Sequence, residues 1–96
     1  MQTEAEMIRS RALAATQLLT SRQYEVLKLA SYGLRNHDIA ELLEINETTV
    51  HSHRYIGMKT LGARSIAQVA ILFTLAGLIT TWETMPRKPI SPLPAS

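Results

Sequence analysis

The sequence contains no cysteine among its 96 residues. This absence excludes a disulfide framework and a thiolate metal site, and it fits a reducing compartment such as the cytoplasm. The chain also lacks a large excess of either charge, because ten lysines and arginines against eight acidic residues leave a formal net charge of only +2. A basic excess this small does not identify a nucleic acid, or any other partner, by itself.

Targeting and membrane signals are weak as well. No basic cluster precedes an apolar run near the N-terminus, so we expect no secretory signal. Residues 66–82 are nearly uncharged, and at about 17 residues they reach only the lower edge of membrane-spanning length. Because this stretch contains Gln68 and Thr74 and begins with a helix-cap signal, we expect a buried or dimer-forming helix and no membrane partner.

The titratable residues do not form a pattern that indicates catalysis. Glu41, Glu44 and Glu47 are spread around a predicted exposed helix pair, which is typical of a solvated face. His51 and His53 lie two positions apart on a predicted helix, so they point to different faces and cannot share a metal. We therefore expect no enzyme activity, no metal and no cofactor.

The sequence does contain clear helix start and stop signals. A Ser, Thr or Asn side chain at the N-cap accepts a backbone N–H bond, often with Glu or Gln three residues later. Gly33 and Gly62 follow apolar helical patterns and predict helix ends. No segment alternates at period two, so we expect no sheet. The predicted starts are Thr3 with Glu6, Thr20 with Gln23, Asn36, Asn46, and Ser65 with Gln68.

These signals predict an all-α protein with three parts. Residues 1–18 form an N-terminal helical extension, and residues 19–82 form a four-helix domain whose last helix carries apolar residues as far as Ile79. Residues 83–96 contain all four prolines and are expected to form a disordered tail, because proline lacks a backbone donor and fixes its backbone angle.

The two central helices of this domain predict a helix-turn-helix. They are short and are joined by a tight turn at Glu44 and Ile45. Ala40 is expected where the second helix crosses the first, and Ile45 beneath the turn. Val50 anchors the second helix, which leaves its opposite face exposed and able to enter a DNA major groove.

Residues 19–80 carry a continuous series of motifs: LTSRQYEVL at 19–27, GLRN at 33–36, IA at 39–40, TV at 49–50, LG at 61–62 and RS at 64–65, with Leu43, Ile45 and His53 between them. This series resembles the LuxR/GerE-type helix-turn-helix family. The resemblance implies a four-helix DNA-binding domain with its third helix in the major groove and its fourth at a dimer contact. It places His51, Ser52 and Tyr55 at base-reading positions, and Asn36, Thr48, Thr49, Arg54 and Lys59 at the phosphate backbone.

The last helix is apolar on nearly every side, with small residues interleaved. A helix of this kind must be buried on more than one face, and a second copy of the chain would supply the missing cover. A twofold dimer would also place two reading helices about 34 Å apart, one turn of DNA. The predicted dimer residues are Ile66, Val69, Ala70, Phe73, Ala76 and Gly77.

We therefore interpret the chain as a cytoplasmic bacterial transcription regulator that binds specific double-stranded DNA sequences as a homodimer. Three departures from the family pattern motivate an alternative: His51 and Thr60 replace usual lysines, and Gly57 replaces a large aliphatic residue. We expect Gly57 to leave a hole that Ile56 rotates to fill. The alternative is a protein-binding modulator that keeps the fold, reads DNA poorly and binds another transcription regulator or RNA polymerase.

Overall fold

The computed structural model describes residues 2–79, and this range contains five α-helices and no strand. The all-α prediction, including the extra N-terminal helix, is confirmed. Trp82 and residues 83–96 lie outside the described range, so the tail and the domain boundaries stay predictions. The helices are α1 (Glu4–Thr16), α2 (Ser21–Ser31), α3 (Asn36–Leu43), α4 (Glu47–Leu61) and α5 (Ile66–Leu75).

Four of the five predicted helix starts are confirmed by side-chain caps. At α1 the Thr3 hydroxyl accepts from the Glu6 backbone N–H at 3.1 Å, and the Glu6 carboxylate accepts from the Thr3 N–H at 2.8 Å. Reciprocal bonds of this type satisfy donors that the first helical turn leaves unpaired. The same exchange begins α2, and the side chains of Asn46 and Ser65 cap α4 and α5.

The start of α3 differs from the prediction. Arg35, with extended backbone angles, occupies the N-cap position, and Asn36 is the first residue of the helix. The Arg35 backbone N–H donates to the Asp38 carboxylate at 3.3 Å. Asn36 does not cap the helix because its side-chain oxygen accepts from Arg54 of α4 instead.

The last helix is also shorter than expected. It ends at Leu75, and Gly77 adopts a left-handed backbone with φ of 77°, a conformation that glycine tolerates best. Ile79 therefore lies beyond the helix and packs against the cluster formed by Leu27, Val69 and Phe73. No helix within residues 2–79 combines the length and apolar character needed to cross a membrane.

Two apolar clusters flank α2 and hold the helices together. One contains Val26 with Ile39, Ala40 and Val50, and Ile45 packs at its edge. Ala40 and Val50 are thus buried as predicted, and they seat α4 across α3. The second cluster joins Leu27 of α2 to Val69 and Phe73 of α5. The Tyr24 ring extends it, tilted against Phe73 at a centroid distance of 5.4 Å.

The apolar character of α5 has a different cause from the one predicted. Val69, Phe73 and Ala76 are buried inside the subunit, so their assignment to a dimer interface is wrong. Helix α2 covers one side of α5, and α1 packs against α5 as well. The extra N-terminal helix thereby supplies cover that the sequence analysis assigned to a second copy.

Gly57 leaves no hole between α4 and α2. It is buried, and an ideal Cβ at this position would lie 2.8 Å from Cδ1 of Leu27. Leu27 is itself fully buried and occupies the space that an aliphatic side chain on α4 would take. Ile56 remains 49% exposed and does not rotate inward, so this expectation was wrong.

The close contact reverses the usual effect of adding a methyl group to a helical glycine. Gly57→Ala should destabilise the protein by about 1 kcal/mol, because overpacking a core costs about 1–3 kcal/mol and the gain in helix propensity is about 1 kcal/mol. Chemical denaturation monitored by circular dichroism measures the change. In a Leu27→Ala background the same substitution should stabilise, and stabilisation in both backgrounds would contradict the packing argument.

Candidate nucleic-acid interface

One face of α4 stands clear of the rest of the subunit. Its inner side is fixed by Val50 and Gly57, both buried. On the opposite side a row of polar residues is spaced three or four positions apart, so the row follows a single helical face. The exposed members of this row are Thr48, His51, Ser52, Tyr55 and Lys59.

Tyr55 and Lys59 form a pair at the C-terminal end of this face. The Lys59 ammonium lies 5.6 Å from the centroid of the Tyr55 ring, within the range of a cation–π contact. Tyr55 is 58% exposed. The contact holds a positive charge beside an aromatic ring on the surface, and both groups are accessible to a ligand.

Thr49 is less accessible than its neighbours. It is half-buried, and both its backbone N–H and its hydroxyl donate to the Asn46 side-chain oxygen, at 3.0 and 2.8 Å. The hydroxyl hydrogen is thus used within the cap of α4. The hydroxyl oxygen retains its capacity to accept a bond.

Arg54 connects α4 to the first residue of α3. Its Nη1 donates to the Asn36 side-chain oxygen at 2.8 Å, and both residues are half-buried. The pair lies in an open cleft of about 610 Å³ between the starts of the two helices, lined also by Arg35, His37 and Glu47. Arg54 therefore fixes the helix pair and still has further N–H groups to offer an anion.

His37 lies at the mouth of this cleft between two carboxylates. Its Nδ1 is 3.1 Å from Glu47 Oε2, and its Nε2 is 3.4 Å from Glu41 Oε2. The hydrogen bond to Glu47, followed by the charge of Glu41, raises the pKa of His37 above its ordinary value. Sequence reasoning missed this cluster, although the four-residue spacing of His37 and Glu41 signals half of it.

The predicted dimer residues that are not buried lie at different places on α5. Ile66 is half-buried against both clusters, and Ala70 is half-buried on the outer side. Gly77 follows the helix, and the Arg9 side chain packs over it, 2.8 Å from where a Cβ would lie. The large apolar residues that α5 does expose are Ile71, 60% exposed, and Leu75, 45% exposed, and the prediction named neither.

Ile71 and Leu75 are the large apolar residues that α5 exposes. Together with Ala70 and Thr74 they line a shallow depression of about 220 Å³. The spacing of four between Ile71 and Leu75 was visible in the sequence. The sequence alone did not distinguish these two exposed residues from the buried apolar residues of α5, because the positions that α1 and α2 cover depend on the tertiary fold.

Comparison with known proteins identifies the same region of the chain. A family model described as "Bacterial regulatory proteins, luxR family" matches residues 17–73. The transcriptional regulatory protein YxjL of Bacillus subtilis, named as uncharacterized, is 37% identical over 60 residues. LnrK of the same organism, a transcriptional regulatory protein, is 45% identical over 53 residues. The uncharacterized response regulatory protein YgeK of Escherichia coli is 39% identical over 62 residues.

The chain spans less than half the length of these curated relatives. The matches cover 62%, 55% and 65% of this chain, but only 28%, 24% and 42% of YxjL, LnrK and YgeK respectively. The crystal structure of full-length FixJ from B. japonicum matches with a TM-score of 0.73 and 25% identity, over 80% of this chain and 38% of FixJ. The likeness confirms the predicted helix-turn-helix fold.

The bond between Arg54 and Asn36 should contribute measurably to stability. A double-mutant cycle with Asn36→Ala and Arg54→Ala should give a coupling energy of about 1 kcal/mol, because the bond is charge-assisted and partly shielded from water. Urea denaturation provides the four free energies. Arg22 and Glu25, an exposed pair at 3.1 Å, serve as the control and should couple by only about 0.3 kcal/mol. Equal coupling in the two cycles would refute a positioning role for Arg54.

Proposed function

Since the chain belongs to the luxR family of bacterial regulatory proteins, we propose that it binds specific sequences of double-stranded DNA as a homodimer in the bacterial cytoplasm. Helix α4 enters the major groove in this proposal. The observation that carries it is the exposed polar face of α4, which the subunit's own core leaves uncovered. An exposed helix of this kind fits a groove about 12 Å wide.

The proposed contacts divide into base reading and phosphate binding. His51, Ser52 and Tyr55 lie centrally on the exposed face and would meet base edges. Lys59 lies near the C-terminal end of α4, and Thr48 and Thr49 lie in its first turn. Arg54 lies midway along α4, beside its partner Asn36 at the start of α3. These residues would fix the helix on the phosphate backbone. Because Asn36 accepts a bond from Arg54, its amide NH₂ is the group that would donate to a phosphate.

Selection from a random DNA pool tests the proposal directly. Two α4 helices related by a twofold axis should enrich a near-palindrome with half-sites about ten base pairs apart. The selection should be repeated with a Tyr55→Ala, Lys59→Ala double variant, which alters the exposed face without touching the core. Failure of the wild-type protein to enrich any sequence would refute specific DNA recognition.

Lys59 and Tyr55 should have separable effects on DNA affinity. Lys59→Ala should weaken binding to all sequences by a similar factor and lower the salt slope by about 1 per subunit, because a phosphate contact carries no base information. Tyr55→Ala should also change the preferred sequence. Fluorescence anisotropy at several salt concentrations measures both. Tyr55→Phe keeps the ring beneath the Lys59 ammonium and is the matched control for the hydroxyl.

The proposed dimer uses the outer side of α5, a surface narrower than the one predicted from sequence. Ile71 and Leu75 are its exposed large apolar residues, and the small side chain of Ala70, which lines the same depression, allows close approach of a second helix. Placing this surface against its symmetry mate removes both residues from water. It also leaves the exposed face of α4 free.

Ile71→Glu should disrupt the dimer. The dimer dissociation constant should rise by about 30-fold or more, since an unpaired carboxylate at an apolar contact costs at least about 2 kcal/mol. Sedimentation velocity over a concentration series measures the change, and affinity for the selected palindrome should fall in parallel. Ser10→Glu, at an exposed position of α1, is the control. If Ile71→Glu dimerises as tightly as the wild-type protein, the outer side of α5 is not the dimer contact.

One observation favours the alternative of a protein-binding modulator. Between α2 and α3 a mostly apolar depression of about 380 Å³ is lined by Tyr24, Leu29, Tyr32, Leu42 and Leu43, together with the charged Glu25 and Lys28. A regulator or polymerase subunit could dock there without using α4. In that case affinity purification would recover one stoichiometric protein partner and no DNA. Leu42→Glu would abolish this recovery, and Lys59→Ala would not.

A further inference from the structure

The two ring nitrogens of His37 face carboxylates from two different helices. Nδ1 lies 3.1 Å from Oε2 of Glu47, the first residue of α4, and Nε2 lies 3.4 Å from Oε2 of Glu41 on α3. A neutral imidazole carries one N–H, so it can donate to only one of these oxygens. The imidazolium carries two and can donate to both. The geometry around His37 therefore suits the protonated ring.

The charge of the surrounding cleft depends on this proton. Arg35 and Arg54 line the cleft beside His37. The carboxylates that act on the ring are Glu41 and Asp38 of α3 and Glu47 of α4. These three negative and two positive groups around His37 sum to −1 when the ring is neutral and to zero when it is an imidazolium. Glu41 and Asp38 act on the ring from outside the cleft lining, so the lining alone changes from +1 to +2.

The cleft lies beside the residues proposed to bind phosphate. Glu47 directly precedes Thr48, and Asn36 and Arg54 form part of the cleft wall. A carboxylate at this position repels a DNA phosphate, and a cation on the neighbouring ring offsets that repulsion. The state of His37 thus changes by one unit the charge that the starts of α3 and α4 present to the DNA.

We propose that His37, held between Glu41 and Glu47, acts as a proton-dependent switch on DNA affinity. The imidazolium form supports binding to the phosphate backbone, and the neutral form weakens it. This inference rests on the proposed DNA-binding function and adds a mode of regulation to the same surface.

The direction of the pH dependence follows from the charges. The hydrogen bond to Glu47 and the charge of Glu41 raise the pKa of His37 above 6.5 in the free protein. A bound phosphate favours the imidazolium further, so DNA binding and protonation assist each other. Affinity is therefore highest below the pKa of His37 and falls as the pH rises through it. We expect a decrease of about threefold to tenfold per subunit at low salt.

The test measures binding of the full chain to a labelled, unselected duplex of about 30 base pairs, since phosphate contacts do not depend on sequence. Fluorescence anisotropy is recorded from about pH 5.5 to 8.5, a range that includes the ordinary pKa of histidine. His37→Gln cannot be charged and should bind at the weaker, high-pH level throughout. His37→Lys stays charged and should bind at the stronger level throughout. His53→Gln, at the half-buried histidine of α4 that has no proposed DNA contact, is the matched control and should keep the wild-type profile.

The outcomes separate this inference from the proposed function. A profile that persists in His37→Gln, or that disappears in His53→Gln, would overturn the switch and leave DNA binding intact. Absence of wild-type binding at every pH would refute the DNA-binding proposal and the switch with it. An NMR titration of the imidazole carbons should also show the His37 pKa falling in Glu47→Gln. A His37 pKa that is the same in both proteins would contradict the placement of His37 between Glu41 and Glu47.

Discussion

The contact between α2 and α4 is the constraint on which the rest of the structure depends. Gly57 allows α4 to approach the fully buried Leu27 more closely than any side chain at that position would permit. Val50 fixes the same helix in the first cluster near Ala40. With α4 seated at these two points, its polar face points outward. Its first residue, Glu47, also meets His37 of α3, and Arg54, two turns farther along, meets Asn36.

The two covered sides of α5 define how much surface remains for a partner. Phe73 and Val69 belong to the cluster with Leu27, and α1 packs against α5 through a stripe on which Ala12 and Thr16 are buried. Only the strip containing Ile71 and Leu75 remains accessible. The N-terminal helix thus belongs to the core, and the dimer proposed here depends on a small apolar contact.

Sequence reasoning succeeded where a feature is encoded within a few residues. Thr20 with Gln23, Asn46 and Gly62 define helix ends through bonds to near neighbours, so the helices and the turn between α3 and α4 could be predicted. It failed where the partner is distant: Asn36 binds Arg54, Gly57 meets Leu27, and α1 covers part of α5. The eight predicted DNA contacts stay predictions, because burial shows their accessibility and not their ligands.

The capping bonds of these helices have a consequence for how the chain folds. Each cap joins residues three apart, so it forms or breaks within a single turn and needs no distant contact. Chains dominated by such short-range contacts lose little loop entropy before their helices dock, and helical domains of this type fold in microseconds to milliseconds. Assembly of this molecule should therefore be limited by docking of α5 against α1 and α2, the step that joins the two ends of the described chain.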